Sequence, residues 1–211
     1  MAKQKNSPKT SSRAGTTHPP ARLIIGITGA SGIIYGIRLL ELLKGTMIET
    51  HLVMSRSAEV TLAYETSHKV AAVKALADYC HANEDLAAPI SSGSFLTLGM
   101  IVAPCSAKSL AEIASGVTPT LIARAADVVL KERRRLVLML RETPLHLGHI
   151  RNMASVTEMG GIIAPPVPAM YAQPQSIGEM VDQSLGRVLD LFGLHLDQVT
   201  RWDKNAKKRG R

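Results

Sequence analysis

The stretch RLIIGITGASGIIYGIRLLELL, residues 22–43, constrains the fold more than any other. An apolar run rich in β-branched residues enters a glycine-rich turn and leaves it as an amphipathic run. Ile33, Ile37, Leu40 and Leu43 recur at helical spacing while Arg38 and Glu41 fall elsewhere, the pattern of a helix lying on a sheet. Strand, tight turn and helix in that order form the opening unit of a parallel α/β sheet. The glycines of GITGASG permit close backbone approach and positive φ, and a helix that starts there is expected to present unpaired N–H groups to an anion. The spacing of Gly26, Gly29 and Gly32 is GxxGxxG, not the GxGxxG of dinucleotide sites, and no acidic residue ends the next strand to take a ribose. A mononucleotide phosphate therefore fits better than NAD. The plainer alternative is a tight turn with Ser31 as the helix N-cap.

The same alternation continues to the end of the folded body. Strands are predicted at 23–28, 50–55, 99–105, 135–140 and 161–166. Helices are predicted at 32–44, at 57–64 continuing irregularly to 79, at 107–115 and 120–132, at 148–159 and at 176–192. Continuous apolar strands alternating with helices indicate a doubly wound parallel sheet covered on both faces, a single three-layer α/β/α domain of flavodoxin-like or Rossmann-like type. Ligands of such sheets bind at the carboxyl ends of the strands. The loops expected there are TGASG, SRSAE, PCSAKS and RETPLH.

Charge narrows the partners. The chain carries +8, but residues 1–22 hold five cations and no acid, and residues 201–211 a net +5, which leaves the body between them at about −2. A nucleic-acid surface loses its support, since the excess lies in two tails. Residues 1–21, rich in Ser, Thr, Pro and Lys, are expected to be disordered, and residues 203–211 form a second basic tail. The 22–202 body is the expected functional domain. No apolar h-region starts the sequence and no apolar run is long enough to cross a bilayer, so a cytoplasmic protein without a membrane partner is expected. Cys80 and Cys105 lack metal-binding or disulfide spacing.

Several further residues stand out. Ser106 and Ser109 around Lys108 can cap a helix and bind an anion, while Cys105 reads as a small buried residue. Arg141 and Glu142 follow an apolar strand directly, where a cation beside a carboxylate reads as functional. In KERRR, Arg133 to Arg135 read as a solvated turn, Lys131 less so. His146 and His149 lack the further ligands a metal would need. Tyr171 lies in a proline-rich loop, and Arg187 flanks the apolar stripe of the last helix.

Taken together, GITGASGIIYGIRLL, THLVMS, ISSGSF, PCSAKSL, RAADVVLKERR, RETPLHLGH, PPVPAMY followed by QPQS, and the terminal RW resemble the UbiX-type flavin prenyltransferases over residues 22–202. That resemblance implies a flavodoxin-like homo-oligomer, typically a dodecamer with sites at subunit contacts. It implies transfer of a dimethylallyl group from dimethylallyl monophosphate to N5 and C6 of reduced FMN, without a metal, to make a cofactor for a UbiD-type decarboxylase. By motif position, Gly29, Ala30, Ser31, Ser55, Ser106, Ala107, Lys108, Ser109 and Arg141 would contact FMN. Tyr171, Arg187, Lys131 and Glu142 would surround the donor phosphate, with Glu142 as proton relay and Ser31 and Glu65 as secondary candidates. Where the family commonly has His-Arg after the tyrosine, this chain has Ala172 and Gln173. The competing readings are an FMN-dependent cysteine decarboxylase, which would need an early histidine base such as His51 or His68, and a non-enzymatic FMN-binding subunit of a decarboxylase.

Overall fold

In the computed structural model, which describes residues 20–202, six parallel strands lie in the order β3-β2-β1-β4-β5-β6. They are β1 (Ala21–Ile27), β2 (Ile48–Met54), β3 (Tyr79–His81), β4 (Gly99–Cys105), β5 (Arg135–Leu140) and β6 (Ile162–Ile163). The helices are α1 (Ile34–Leu43), α2 (Arg56–Glu65), α3 (Val70–Lys74), α4 (Ala107–Ser115), α5 (Leu121–Lys131), α6 (Leu147–Glu158) and α7 (Ile177–Asp190). Apart from residues 20 and 21, both tails lie outside the described residues; Ala21, assigned to a tail on sequence, already belongs to β1.

Alternation along each strand sends side chains to two separate cores. Leu23, Ile25, Ile27, Leu52, Met54 and Val137 pack under α1, α2, α3 and α7, while Ile24, Val53, Met100, Val102 and Leu138 pack under α4, α5 and α6. The three-layer expectation holds. One strand escapes the sequence pattern: β3 has three residues at the sheet edge, two of them exposed, starting where the expected irregular helix ends at 79, with Cys80 and His81 assigned to no element. The last strand is shorter than expected because Pro165 and Pro166 lack the N–H a ladder requires.

The sheet order reverses between β1 and β4, which makes their carboxyl ends the topological switch point. The β4–β5 register is irregular between Val102 and Cys105, around Pro104. Thr28, buried just past the end of β1, closes this gap. Its backbone N–H and hydroxyl both donate to the Pro104 carbonyl, at 3.2 and 2.8 Å, and its hydroxyl accepts from the Ser106 N–H at 2.8 Å. The two loops that leave the switch point are thereby fixed against each other.

Candidate functional site at the switch point

Three helices start at one small cavity of about 130 Å³. Each is capped by a hydroxyl side chain. Ser55 accepts from the Ala58 N–H at the start of α2, Ser106 from the Ser109 N–H at the start of α4, and Thr120 from the Ala123 N–H at the start of α5. Each such cap is worth about 1 kcal/mol and fixes the angle at which its helix meets the cavity. Gly29, Ser55, Ser57, Ser106, Lys108 and Ser109 all line it. The positive ends of three helix dipoles and several hydroxyls therefore face the same volume, an arrangement suited to a phosphate, while the Lys108 ammonium and the Glu112 carboxylate it pairs with both lie on the lining. Lys108 is tethered by Glu112 at 3.1 Å, which directs it along its own helix.

The close fit of this wall depends on Gly29. A Cβ there would lie 2.3 Å from Cβ of Ser57, so only glycine lets the β1 turn touch the start of α2. Ala30, buried behind it, donates to the Thr28 carbonyl at 2.9 Å, and Ala107 opens α4.

The turn does not treat its own helix as expected. Gly32 does adopt φ of 94°. However, the N–H groups of Gly32 and Ile33 both donate to the Glu65 carboxylate, at 2.9 Å each, so the start of α1 already holds an anion supplied by the end of α2. Nor is Ser31 a cap of α1, which has no side-chain cap of its own. Ser31 lies beside the Glu65 carboxylate instead. Burial pushes the Glu65 carboxyl up, but Ser31, the bonds from Ile33 and Gly32 and the charge of Arg141 outweigh it, holding the group below the usual carboxylate range. Arg141 is fixed by its own N–H on the Cys105 carbonyl at 3.0 Å and also faces Tyr35, whose phenol burial raises above its ordinary value. Ser31, Glu65 and Arg141 thus meet at the start of α1, with Glu142 next in the chain, its carboxylate accepting from the Thr143 N–H at 3.0 Å.

The residues grouped around a donor phosphate are not brought together in one chain. Lys131 ends α5 at the amino end of β5, whereas Arg141 and Glu142 follow its carboxyl end, about 20 Å away along a six-residue strand. Lys131 is paired with Glu132 against Gly93 in the SSGSF loop. Its neighbour Arg134 is no solvated turn residue: it donates to the carbonyls of Phe95 and Gly93 at 2.7 and 2.6 Å and holds that loop in place. Tyr171 and Arg187 form a third group. Gln183 of α7 reaches the Tyr171 hydroxyl at 3.4 Å, and Arg187 lies four residues further along the same helix.

Ser57, Asn83 and Thr120 also line the cavity and were not singled out on sequence. Ser57 lies in a loop flagged as unusual. Asn83, which accepts from the Leu121 and Ile122 N–H groups through its carbonyl and side chain, carries no local signal at all. Cys105 is buried, which pushes its thiol up to about 12. His51 is buried at the middle of β2, bonded to Glu49 and His81. Stacked His146 and His149 have no third ligand, and among the described residues no group of three His, Cys, Asp or Glu could hold a metal ion. No helix among them is long and apolar enough to cross a membrane.

Comparison with known proteins agrees with this architecture. Residues 11–189 match the Flavoprotein family. Flavin prenyltransferase UbiX of Escherichia coli K12 is 56% identical over 184 residues, covering 86% of this chain and 97% of that protein. The crystal structure of AnUbiX (PadA1) in complex with FMN and dimethylallyl pyrophosphate aligns with a TM-score of 0.86 at 54% identity, covering 88% of this chain and 98% of the other. The dodecameric FMN-dependent UbiX-like decarboxylase of E. coli O157:H7 aligns with a TM-score of 0.84 at 49% identity, covering 86% and 99%.

Proposed function

The chain belongs to the UbiX-type flavin prenyltransferases of the Flavoprotein family, and from that premise we propose that it transfers a dimethylallyl group from dimethylallyl monophosphate to N5 and C6 of reduced FMN. The observation that carries the reading is the convergence of three capped helix starts on a cavity of about 130 Å³ beside the switch point. That volume suits the FMN phosphate, with Ser55, Ser106, Ala107, Lys108 and Ser109 around it and Gly29 and Ala30 forming one wall. The reduced flavin supplies the electron-rich nitrogen and carbon that attack the allylic group.

The chain's own residues supply charge and protons. Arg141 fixes the flavin beside the start of α1, where Ser31 and Glu65 hold a hydrogen-bonded carboxylate. Glu142, exposed and adjacent to Arg141, relays a proton to the leaving phosphate or takes one from the flavin. Arg187, Tyr171 and Lys131 stabilise the charge that grows on that phosphate as the C–O bond breaks, a contribution that matters most in the transition state. No divalent metal is needed, because guanidinium and ammonium groups can neutralise a monophosphate directly.

Lys131 can join such a site only from another copy, since within one chain it lies at the opposite edge of the sheet. This supports a homo-oligomer, a dodecamer, with sites at subunit contacts. The product is passed to a UbiD-type decarboxylase in the cytoplasm. Residues 22–202 are the functional unit, the basic tails being dispensable. A cysteine decarboxylase is disfavoured because His51 is committed to Glu49 and His81 away from the carboxyl edge, and His68 lies in the loop after α2. Anaerobic incubation with reduced FMN and dimethylallyl monophosphate, followed by mass measurement of the flavin, tests the proposal. A flavin heavier by one dimethylallyl group supports it. Flavin that binds and stays unmodified supports the non-enzymatic subunit instead.

A further inference from the structure

The end of α7 carries a carboxylate that the reaction scheme above leaves unused. Asp190 has a side chain only 10% exposed, yet its partners Arg187, Arg201 and His195 are 58, 47 and 67% exposed. Its Oδ2 accepts from Nη1 of Arg187 at 2.7 Å and Nη1 of Arg201 at 2.8 Å. Its Oδ1 accepts from Nη2 of Arg201 at 2.8 Å and lies 2.7 Å from Nδ1 of His195. All four acceptor positions of the carboxylate are engaged. An acid at a helix C-terminus opposes the macrodipole, so helix stability alone does not account for it.

Arg201 is delivered by a C-terminal strap of defined geometry. The Gln183 side chain pairs with both backbone groups of Thr200, at 2.8 and 2.9 Å, and Val199 fills a notch at Gly186 where any Cβ would collide with it. Trp202 meets the Tyr171 ring edge-on at 5.4 Å. One scaffold therefore holds Tyr171, Arg187 and Arg201 together. Arg187 spends only Nη1 on Asp190 and makes no other hydrogen bond among the described residues, so Nε and Nη2 are available to a phosphate.

We propose that Asp190 is a specificity-determining residue of the donor subsite, holding Arg187 and Arg201 as a paired cationic clamp while cancelling one of their charges so that a monophosphate is favoured over a diphosphate. This rests on the preceding assignment of Arg187 to the donor phosphate. Two guanidiniums against one carboxylate leave one net positive charge. A diphosphate brings more negative charge toward the carboxylate than a monophosphate does, so it is penalised more by Asp190 and gains more when that charge is removed. Loss of Asp190 itself shifts the balance toward the diphosphate.

The test measures calorimetric affinities for dimethylallyl monophosphate and dimethylallyl diphosphate on the protein loaded with oxidised FMN. Asp190→Asn is expected to raise the diphosphate-to-monophosphate affinity ratio roughly tenfold, the effect of one unit charge at about 6 Å in a half-solvated site. Asp190→Glu, which keeps the charge, restores the original ratio, and Arg201→Gln moves it the opposite way. If Asp190→Asn does not fold, Arg201→Gln carries the test alone. Arg187→Ala is expected to weaken both donors. A ratio that stays within twofold in Asp190→Asn, or in Arg201→Gln where that variant stands alone, overturns the proposal if Arg187→Ala does weaken both. If Arg187→Ala weakens neither, the assignment of the donor subsite falls first and the proposal with it.

Discussion

The cavity at the switch point and the clamp at the end of α7 are both suited to phosphate, but they are made of different material. The cavity is lined by the starts of three helices, serine and threonine hydroxyls and one ammonium already paired with the Glu112 carboxylate, most of it uncharged and fixed by secondary structure. The clamp is two guanidiniums on one carboxylate, fixed by a tertiary strap. Helix-start donors are placed by the backbone and fix one geometry for a phosphate, whereas the guanidiniums are placed by side chains and a strap and add full positive charge to it.

Five experiments can break or sharpen this contrast. The largest effect is expected from Glu142→Gln, which keeps the shape of the donor surroundings and removes the ionisable group. It should slow turnover by roughly 10²–10⁴-fold, as loss of a general acid or base does, with both ligands still bound; unchanged turnover at saturating donor would place the proton chemistry elsewhere. Next, Gly29→Val forces side-chain atoms into Ser57 and should raise the FMN dissociation constant by about a hundredfold or more, read by flavin fluorescence. Retained flavin affinity would mean the wall is softer than its 2.3 Å approach indicates.

Arg187→Ala should weaken donor binding by about 10–100-fold, the usual loss for a hydrogen bond to a charged group, and leave FMN affinity within about twofold. If both ligands weaken together, the two regions are one site. Raising salt should lower donor affinity several-fold and flavin affinity less, since exposed charges are screened and backbone donors hardly at all. Equal salt slopes would erase the distinction.

The smallest effect concerns acid stability. The fork from Arg201 holds the Asp190 carboxyl well below the usual range, against the opposing effect of burial, with His195 and Arg187 adding to the fork. A carboxyl depressed in the folded state adds stability above its unfolded value near 4 and loses it as pH falls toward the folded value. Urea midpoints should therefore decline less on acidification in Asp190→Asn than in the parent protein. Parallel declines would show that the clamp adds nothing to folding.

The two regions also differ in how far their sequence announces them. The caps Ser55 and Ser106 and the glycine turn lie next to the elements they serve, and the predicted helix 107–115 coincides with α4 because the apolar period and the cap agree. What joins distant segments left no local trace. Glu65 lies 32 residues from Ile33, yet it occupies the helix start that the turn was expected to leave open. Asn83 caps α5 from 39 residues away, at Ile122. Asp190 reads as one more acid on an amphipathic helix, and its partners Arg187 and Arg201 reach it only once the strap closes on Gln183. Strand β3 was missed because three residues after an Ala-rich stretch carry too little periodicity to separate strand from helix.

The carboxylate of Glu65 at the start of α1 has a consequence for direction. The starts of α2, α4 and α5 open on the cavity, and that of α1 begins beside it. With the α1 start already answered from within the chain, an anionic ligand entering here meets only the starts of α2, α4 and α5. A neutral residue in place of Glu65 would leave the Gly32 and Ile33 N–H groups without their carboxylate and give the edge a fourth positive end to compete for the same anion.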